Sequence, residues 1–329
     1  MLKVFLWPGV LLAFAILLIG CQVRPSNVSP ATATPNPLRP FLEPDANYEP
    51  VIAALKSAKK SVFMEMYLLT DSIVIDELKR ARGRGADVRV LLETRPAGGG
   101  TGNQPAISEL RAANVTVKTS NSDYRLGHQK TIVVDERVAL IMTFDQARDS
   151  FATNREFGIV DTVPEDVSEI VSVFQADWNG NVPVVSNPTL VWSPMNARER
   201  LLAFIDQAQR TLDVEAEQMQ DDEVEAHFIS AVERGVAVRL VMSPSVNGPD
   251  PNAASQQRLK RGGVKIRFLR FPRIDGNMMV SDKQRGFVGS QNFTRASLDM
   301  NRELGMLITD PRIVEGLAAT FLTDWDVGK

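Results

Sequence analysis

Cysteine occurs once in the 329 residues, which excludes a disulfide within the chain. Positive charge is not in excess: the formal net charge is −3, which argues against a broad cationic surface that binds nucleic acid through counterion release and leaves room only for a local basic groove. No strip of interleaved basic and aromatic residues is evident either, which lowers a nucleic-acid partner further. Histidine is present only at His128 and His227. The mostly apolar run Val4 to Ile19 falls short of the about 20 residues that usually span a bilayer. The glycines of "PAGGGTGN", Pro96 to Asn103, lack the strand-to-helix spacing of a phosphate loop, and the segment reads as a flexible loop. What remains is ordinary globular material, 44% hydrophobic and 23% charged, long enough for about two domains.

The N-terminus is more specific. Lys3 precedes the apolar run, which ends in "LIGC", Leu18 to Cys21, the pattern of a secretory leader. It resembles the bacterial lipobox, in which a small residue precedes a cysteine that is lipidated after cleavage. The expectation is a leader over 1–20, lipid on Cys21, and an extracytoplasmic chain anchored to a bacterial membrane; a transmembrane anchor is the alternative. Residues 21–40, rich in Pro, Ser, Thr and Ala without an apolar period, read as an extended tether. The folded part is expected to begin near Phe41.

From there the chain repeats itself. "AKKSVFMEMYLL" followed by "DSIVIDELKRARGRGADVRVLLE" returns as "AQRTLDVEAEQM" followed by "DDEVEAHFISAVERGVAVRLVMS". Each copy reads as strand, amphipathic helix, strand: Ile75, Leu78 and Ala81 recur at helical spacing, Gly85 closes the helix, and "VRVLL" is a buried strand. Each copy ends alike, in "FQADW" and "FLTDW", with Phe174 and Phe321 separated by 147 positions (321 − 174). A hairpin precedes each ending, with turns expected at Asp135 and Glu136 and at Asp282 to Gly286. The fold class is therefore α/β, with two tandem similar domains over 41–182 and 183–329.

The residues beside the hairpins carry the chemistry. His128, Lys130 and Asp135 fit His-x-Lys-x4-Asp; Gly289, Ser290 and Asn292 fit Gly-Ser-x-Asn; Asn301 and Glu303 fit Asn-x-Glu, which the first copy repeats as Asn154 and Glu156. On these motifs the chain resembles the phospholipase D superfamily, whose two-repeat members place one active site between pseudo-symmetric β-α-β-α-β halves. The resemblance covers essentially everything from Phe41 onward. It implies a metal-independent, cofactor-free reaction in which one imidazole attacks phosphorus, a second protonates the leaving oxygen, and Lys, Ser and Asn hold the non-bridging oxygens. Carried over, His128 is the nucleophile, Lys130 the phosphate cation, and Glu156 the carboxylate that orients His128.

Both halves depart from the pattern. Thr143 and Asp145 stand where the second copy has Ser290 and Asn292. Asp275, Asn277 and Asp282 stand opposite His128, Lys130 and Asp135, so "RIDGNMMVSD" is the decayed partner of "RLGHQKTIVVD". An ordinary Asp is a poor proton donor at neutral pH, and Lys130 would lower Asp275 further, whereas burial beside Asp145 would raise it. The resemblance thus implies a phosphodiesterase acting on phosphodiesters, with phospholipids favoured by the expected anchor; rivals are a catalytically reduced module that binds phosphate-containing ligands or a partner, and a nuclease. A monomer is favoured over a homodimer, because the chain's own second repeat occupies the surface a partner copy would need. His227, next to an apolar helix face, reads as a partly solvated helix residue, and "LKRARGRG" as solvated helix surface.

Overall fold

In the computed structural model, which describes residues 1–4, 36–96, 101–246 and 248–329, the first repeat runs through β1 (Leu38–Glu43), α1 (Glu49–Ser57), β2 (Ser61–Met66), α2 (Ser72–Gly83), β3 (Asp87–Leu92), α3 (Gln104–Ala112), β4 (Thr116–Thr119), β5 (Thr131–Val134), β6 (Val138–Met142), α4 (Arg148–Ala152), β7 (Asn154–Asp161) and α5 (Pro164–Asn179). The second runs through β8 (Leu190–Ser193), α6 (Ala197–Asp206), β9 (Thr211–Glu215), α7 (Asp222–Glu233), β10 (Ala237–Met242), α8 (Ala253–Arg261), β11 (Lys265–Phe268), β12 (Arg273–Ile274), β13 (Asn277–Ser281), β14 (Arg285–Gly289), α9 (Arg295–Asp299), β15 (Glu303–Ile308) and α10 (Pro311–Val327). Residues Asn36–Lys329 form one compact unit. Residues 5–35, which include Cys21, most of the expected leader and the tether up to residue 35, lie outside the described residues, as do 97–100 of the glycine loop. The first strand starts at Leu38, ahead of Phe41, because its backbone pairs antiparallel with β7 from Leu38 opposite Asp161 onward.

The strand-helix-strand units form as their patterns predict. Asp71 caps α2 by accepting from the N–H groups of Ile73 and Val74, and Asp221 does the same for α7 with Glu223 and Val224. Just past each helix, Gly85 and Gly235 sit at φ +97 and +90, a left-handed conformation that costs glycine least. The hairpin turns are tight. Asp135 and Glu136 both have positive φ, as do Asp282 and Lys283, and β14 resumes at Arg285, so Gly286 belongs to the strand and not to the turn.

Each repeat builds one mixed sheet, ordered β1-β7-β6-β5-β2-β3-β4 in the first and β11-β10-β9-β13-β14-β15-β8 in the second. β2 is buried at all six positions because both faces of its sheet are covered. Val62, Met64 and Met66 pack with α1, α2 and α3, and Phe63 faces a second core. That second core is shared by the repeats: Phe157 and Ile159 of the first sheet, Met278, Val288 and Leu304 of the second, and the apolar faces of α5 and α10 form one cluster. α6, α7 and α8 cover the outer face of the second sheet.

Buried charge crosses this shared layer twice. Arg155 Nε lies 2.6 Å from Asp324 Oδ2 and its Nη2 donates to Oδ1 at 3.1 Å. Arg302 Nε lies 2.9 Å from Asp177 Oδ2 and its Nη2 donates to Oδ1 at 3.0 Å and to the Tyr124 hydroxyl. The two pairs are copies of each other, each joining the Asn-Arg-Glu of one repeat to the Phe-x-x-Asp-Trp of the other. The aspartates of the terminal motif thus bind across the interface, while Trp178 and Trp325 receive the cations Arg89 and Arg239 of their own repeats over their rings. Buried carboxyls sit beside both pairs. Burial, then Asp177, raises Glu65 to about 8 against the pull of Arg302, and burial beside Asp324 raises Glu215 well above the usual range.

Candidate active site

The same exchange of strands that joins the repeats builds the site. The segment before β5 runs parallel to the start of β15: Arg302 N–H donates to Leu126 O and His128 N–H to Arg302 O, both at 2.9 Å. A Cβ on Gly127 would lie 2.6 Å from Ser120 Cβ, so only glycine lets this segment pass so close to the residue that follows β4. Residue 303 then lies beside residue 128. His128 Nδ1 is 2.8 Å from Glu303 Oε2, with the carboxylate fully buried and its other oxygen accepting from Asn301 Nδ2 at 3.0 Å. Nδ1–H donating to Glu303 leaves the Nε2 lone pair pointing into the site, where Lys130 Nζ approaches to 3.1 Å. Tyr67 packs edge-on against the imidazole, with ring centroids 4.6 Å apart.

Glu303, supplied by the opposite repeat, therefore holds His128, in the place expected for Glu156. The physical reason is the parallel crossing just described, which sets each Asn-x-Glu against the His-x-Lys position of the other copy. Glu156 is buried instead beside Asp275 and accepts from Thr143 Oγ1 at 2.6 Å. The crossing is duplicated: β12 pairs parallel with β7, Arg273 opposite Asn154 and Ile274 opposite Arg155, and Gly276 N–H donates to Arg155 O at 3.0 Å. Asp275 also accepts from Asn154 Nδ2 at 3.0 Å.

Asp135 is not part of this pocket. It lies at the far end of β5 from His128, where its carboxylate accepts from the N–H groups of Lys59, Lys60 and Ser61 at 2.7–3.1 Å. These contacts hold it below the ordinary carboxylate range against the opposing effect of burial. Asp282 repeats the arrangement with Gln209, Arg210 and Thr211. The motif's aspartate is thus a clasp between the hairpin turn and the strand beside it, which explains why the second repeat keeps Asp282 after losing its histidine and lysine.

The expected phosphate-binding group divides. Asn277 and Asn292 bond each other at 3.1 Å, and Asn292 Nδ2 donates to Glu217 Oε2 at 3.0 Å. The Ser290 hydroxyl is tied to the Leu304 backbone next to Glu303, whereas the Thr143 hydroxyl accepts from Phe157 N–H and donates to Glu156. Asp145 accepts from Leu68 N–H at 3.0 Å and lies 3.7 Å from Lys130 Nζ, so it offsets that cation rather than supplying a donor to an anion. Glu217 was not anticipated. It occupies the second-repeat position of Tyr67, and burial, with Asp275 adding repulsion, raises its carboxyl above the usual range. The aligned repeats held that signal, a carboxylate two residues beyond Glu215 where the first copy has an aromatic ring.

His227 lies outside the site, on α7 with Nδ1 2.7 Å from Asp206. The basic helix around it in the first copy is solvated and internally paired, Arg80 and Arg84 both reaching Glu77. Among the described residues no group of three or more His, Cys, Asp or Glu is arranged to hold a metal ion, and no helix is long and apolar enough to cross a membrane.

A duplicated α/β unit whose crossed strands set one repeat's histidine against the other's glutamate defines a two-repeat, single-site class of protein. The family described as "Cardiolipin synthase, PLD-like domain" matches twice, at residues 51–178 and 201–325, and the chain belongs to this phospholipase D-like family. Cardiolipin synthase B of Salmonella typhi is 22% identical over 311 residues, covering 81% of this chain and 75% of that protein. Among solved structures, phosphatidylserine synthase of Haemophilus influenzae superposes with a TM-score of 0.66 at 13% identity, covering 89% of this chain and 86% of its own. Polyphosphate kinase of Porphyromonas gingivalis gives 0.69 at 16% identity, covering 88% of this chain and half of the kinase. These two likenesses speak for the fold alone.

Proposed function

We propose that the chain is a phosphodiesterase that hydrolyses phosphodiesters, phospholipids foremost, through a covalent phosphohistidine on His128. The observation that carries the reading is the Glu303–His128–Lys130 row, in which a buried carboxylate orients the imidazole and a cation meets its other nitrogen. Glu303 stabilises the positive ring that forms as Nε2 attacks phosphorus, and Lys130 is placed to bind a non-bridging oxygen. The amide N–H groups of Asn277, which donates to Asn292, and of Asn292, which donates to Glu217, are able to turn from those acceptors to the substrate. The family and the name of one relative, a synthase of the phospholipid cardiolipin, support a phospholipid substrate. Lipid on Cys21 would hold the cleft of an extracytoplasmic chain near its substrate; labelling with a fatty-acid analogue that marks wild type and Cys21→Ser equally would contradict this part.

One observation favours a second reading, that of a phosphate-binding module. The pocket has one imidazole and one lysine where the family pattern has two of each, and carboxyls Asp145, Glu156, Glu217, Asp275 and Glu303 surround them. Turnover of bis(p-nitrophenyl) phosphate by the purified full chain, lost in His128→Ala, supports the enzyme. Absence of turnover with retained binding of inorganic phosphate supports the module.

A further inference from the structure

Three features outside the nucleophile's row invite a role: the surface pair His227–Asp206, the buried carboxyls Glu65 and Glu215 at the interface, and the carboxyl pair Glu156–Asp275. The first faces solvent without other catalytic groups, and the second has no access to a ligand. The third sits inside the pocket and repeats the geometry of the nucleophile's own support.

By the duplicated strand crossing, Glu156 stands to residue 275 as Glu303 stands to His128. Where the first pair is carboxylate and imidazole, the second is carboxyl and carboxyl. Glu156 is buried, whereas the Asp275 side chain keeps a third of its surface exposed, so Asp275 faces the cleft with Glu156 behind it. The sequence makes room for this contact. Gly276 replaces Gln129, and a Cβ there would lie 3.1 Å from Glu156 Oε2 and 2.8 Å from Thr143 Oγ1.

We propose that Glu156 and Asp275 hold one exchangeable proton between them and that Asp275 delivers it to the leaving oxygen, in place of the family's second imidazole. The inference rests on the reading of His128 as nucleophile. Two carboxyls in direct contact cannot both ionise at ordinary cost, so the pair retains a proton that a lone aspartate would have released. Burial is the largest cause raising both groups. Repulsion from Asp275 and the hydrogen bond between the two raise Glu156 further, whereas that same hydrogen bond lowers Asp275 and Asp145 raises it. The opposing charges are Arg273 on the same segment, 3.8 Å from Asp275, and Lys130 leading into β5; Glu217 after β9 faces the pair as a further acid, and His128 lies across the pocket.

The step balances. As His128 Nε2 bonds to phosphorus, the bond from phosphorus to the leaving oxygen breaks, its electron pair stays on that oxygen, and the proton from the pair converts it to an alcohol. The pair, now doubly ionised, takes a proton from the attacking water, whose oxygen bonds to phosphorus as the P–N bond breaks and frees His128. Asp275 is the catalytic residue here and Glu156 a positioning residue that sets its proton affinity.

The test compares an alkyl ester, dihexanoyl phosphatidylcholine, with the aryl ester bis(p-nitrophenyl) phosphate, whose leaving group needs no proton, on the full chain. Asp275→Asn is expected to lower the alkyl-to-aryl rate ratio by about 10²–10⁴. Asp275→His, which restores an imidazole, should recover the ratio. In wild type the same ratio should fall as pH rises through the titration of the pair, and Glu156→Gln should move that fall to lower pH. A ratio unchanged in Asp275→Asn, or one independent of pH in wild type, overturns the inference. Aryl turnover that survives His128→Ala instead overturns the reading on which it rests.

Discussion

Arg155 and Arg302 perform one task in the two repeats, as do Asp135 and Asp282, whereas His128 and Asp275 do not. The first four lie where the repeats are joined or where a hairpin is clasped to its sheet, and each copy of the fold needs them. A buried guanidinium without its carboxylate would be an uncompensated charge in a low-dielectric layer, and three N–H groups without Asp135 would lose their acceptor. Chemistry makes no such double demand: one nucleophile serves one phosphorus atom. The difference teaches that duplication constrains the scaffold in both halves and leaves the reacting groups of one half free to change.

The largest effect that sharpens this comparison is on activity. His128→Ala should reduce hydrolysis of bis(p-nitrophenyl) phosphate by at least about 10⁴-fold, as deletion of a covalent nucleophile does, while the corresponding change on the degenerate side, Asp275→Asn, should cost far less with that substrate. On the structural side the two halves should respond alike. Arg155→Ala and Arg302→Ala should each destabilise the fold by about 3–5 kcal/mol in urea denaturation, because each leaves a buried aspartate unpaired; a large cost for one and none for the other would contradict the symmetry of the two pairs.

Glu303→Gln is expected to lower turnover by about 10²-fold through loss of the charge that stabilises the imidazolium, with little change in KM. Smaller again, Asp135→Ala and Asp282→Ala should each cost about 1.5–3 kcal/mol of stability, as losses of hydrogen bonds to a charged group do. Turnover per folded molecule should stay near wild type in both; a loss with Asp135→Ala matching that of His128→Ala would return Asp135 to the chemistry.

The last effect is a slope with pH. Glu65 and Glu43, both raised to about 8 chiefly by burial, keep protons in the folded chain that the unfolded chain releases near its ordinary value of 4.5. For a carboxyl whose folded pKa is raised, the folded state binds the extra proton, so stability is greatest below the unfolded value and is lost as pH rises toward the folded one. The urea midpoint should therefore fall between about pH 5 and 8, and Glu65→Gln should flatten that fall.

The architecture was legible because both repeats carry the same period: "SVFMEM" and "TLDVEA" open matching units, and Phe174 and Phe321 close them at a fixed separation. His128, Lys130 and Glu303 were legible as types. Their pairing was not, because which glutamate reaches His128 depends on a strand crossing between repeats that leaves no trace in local spacing, and the nearer Asn-x-Glu in sequence is the wrong one. Asp135 misled for a related reason. It stands seven positions from His128 in an extended segment, and an extended chain of that length puts it about 23 Å away, at the opposite end of the strand. Glu217 escaped notice because the aligned repeats show only a carboxylate where the first copy has Tyr67, and not that this strand end faces the pocket.

The most direct measurement of the central claim is to trap the intermediate. The full chain is mixed with bis(p-nitrophenyl) phosphate, quenched in base to spare the acid-labile P–N bond, and digested for peptide mass analysis. The account predicts a nitrophenyl-phosphoryl adduct on His128 that is absent from His128→Ala and accumulates in Glu303→Gln no faster than in wild type. Turnover with no adduct at His128, or an adduct that persists in His128→Ala, would contradict it.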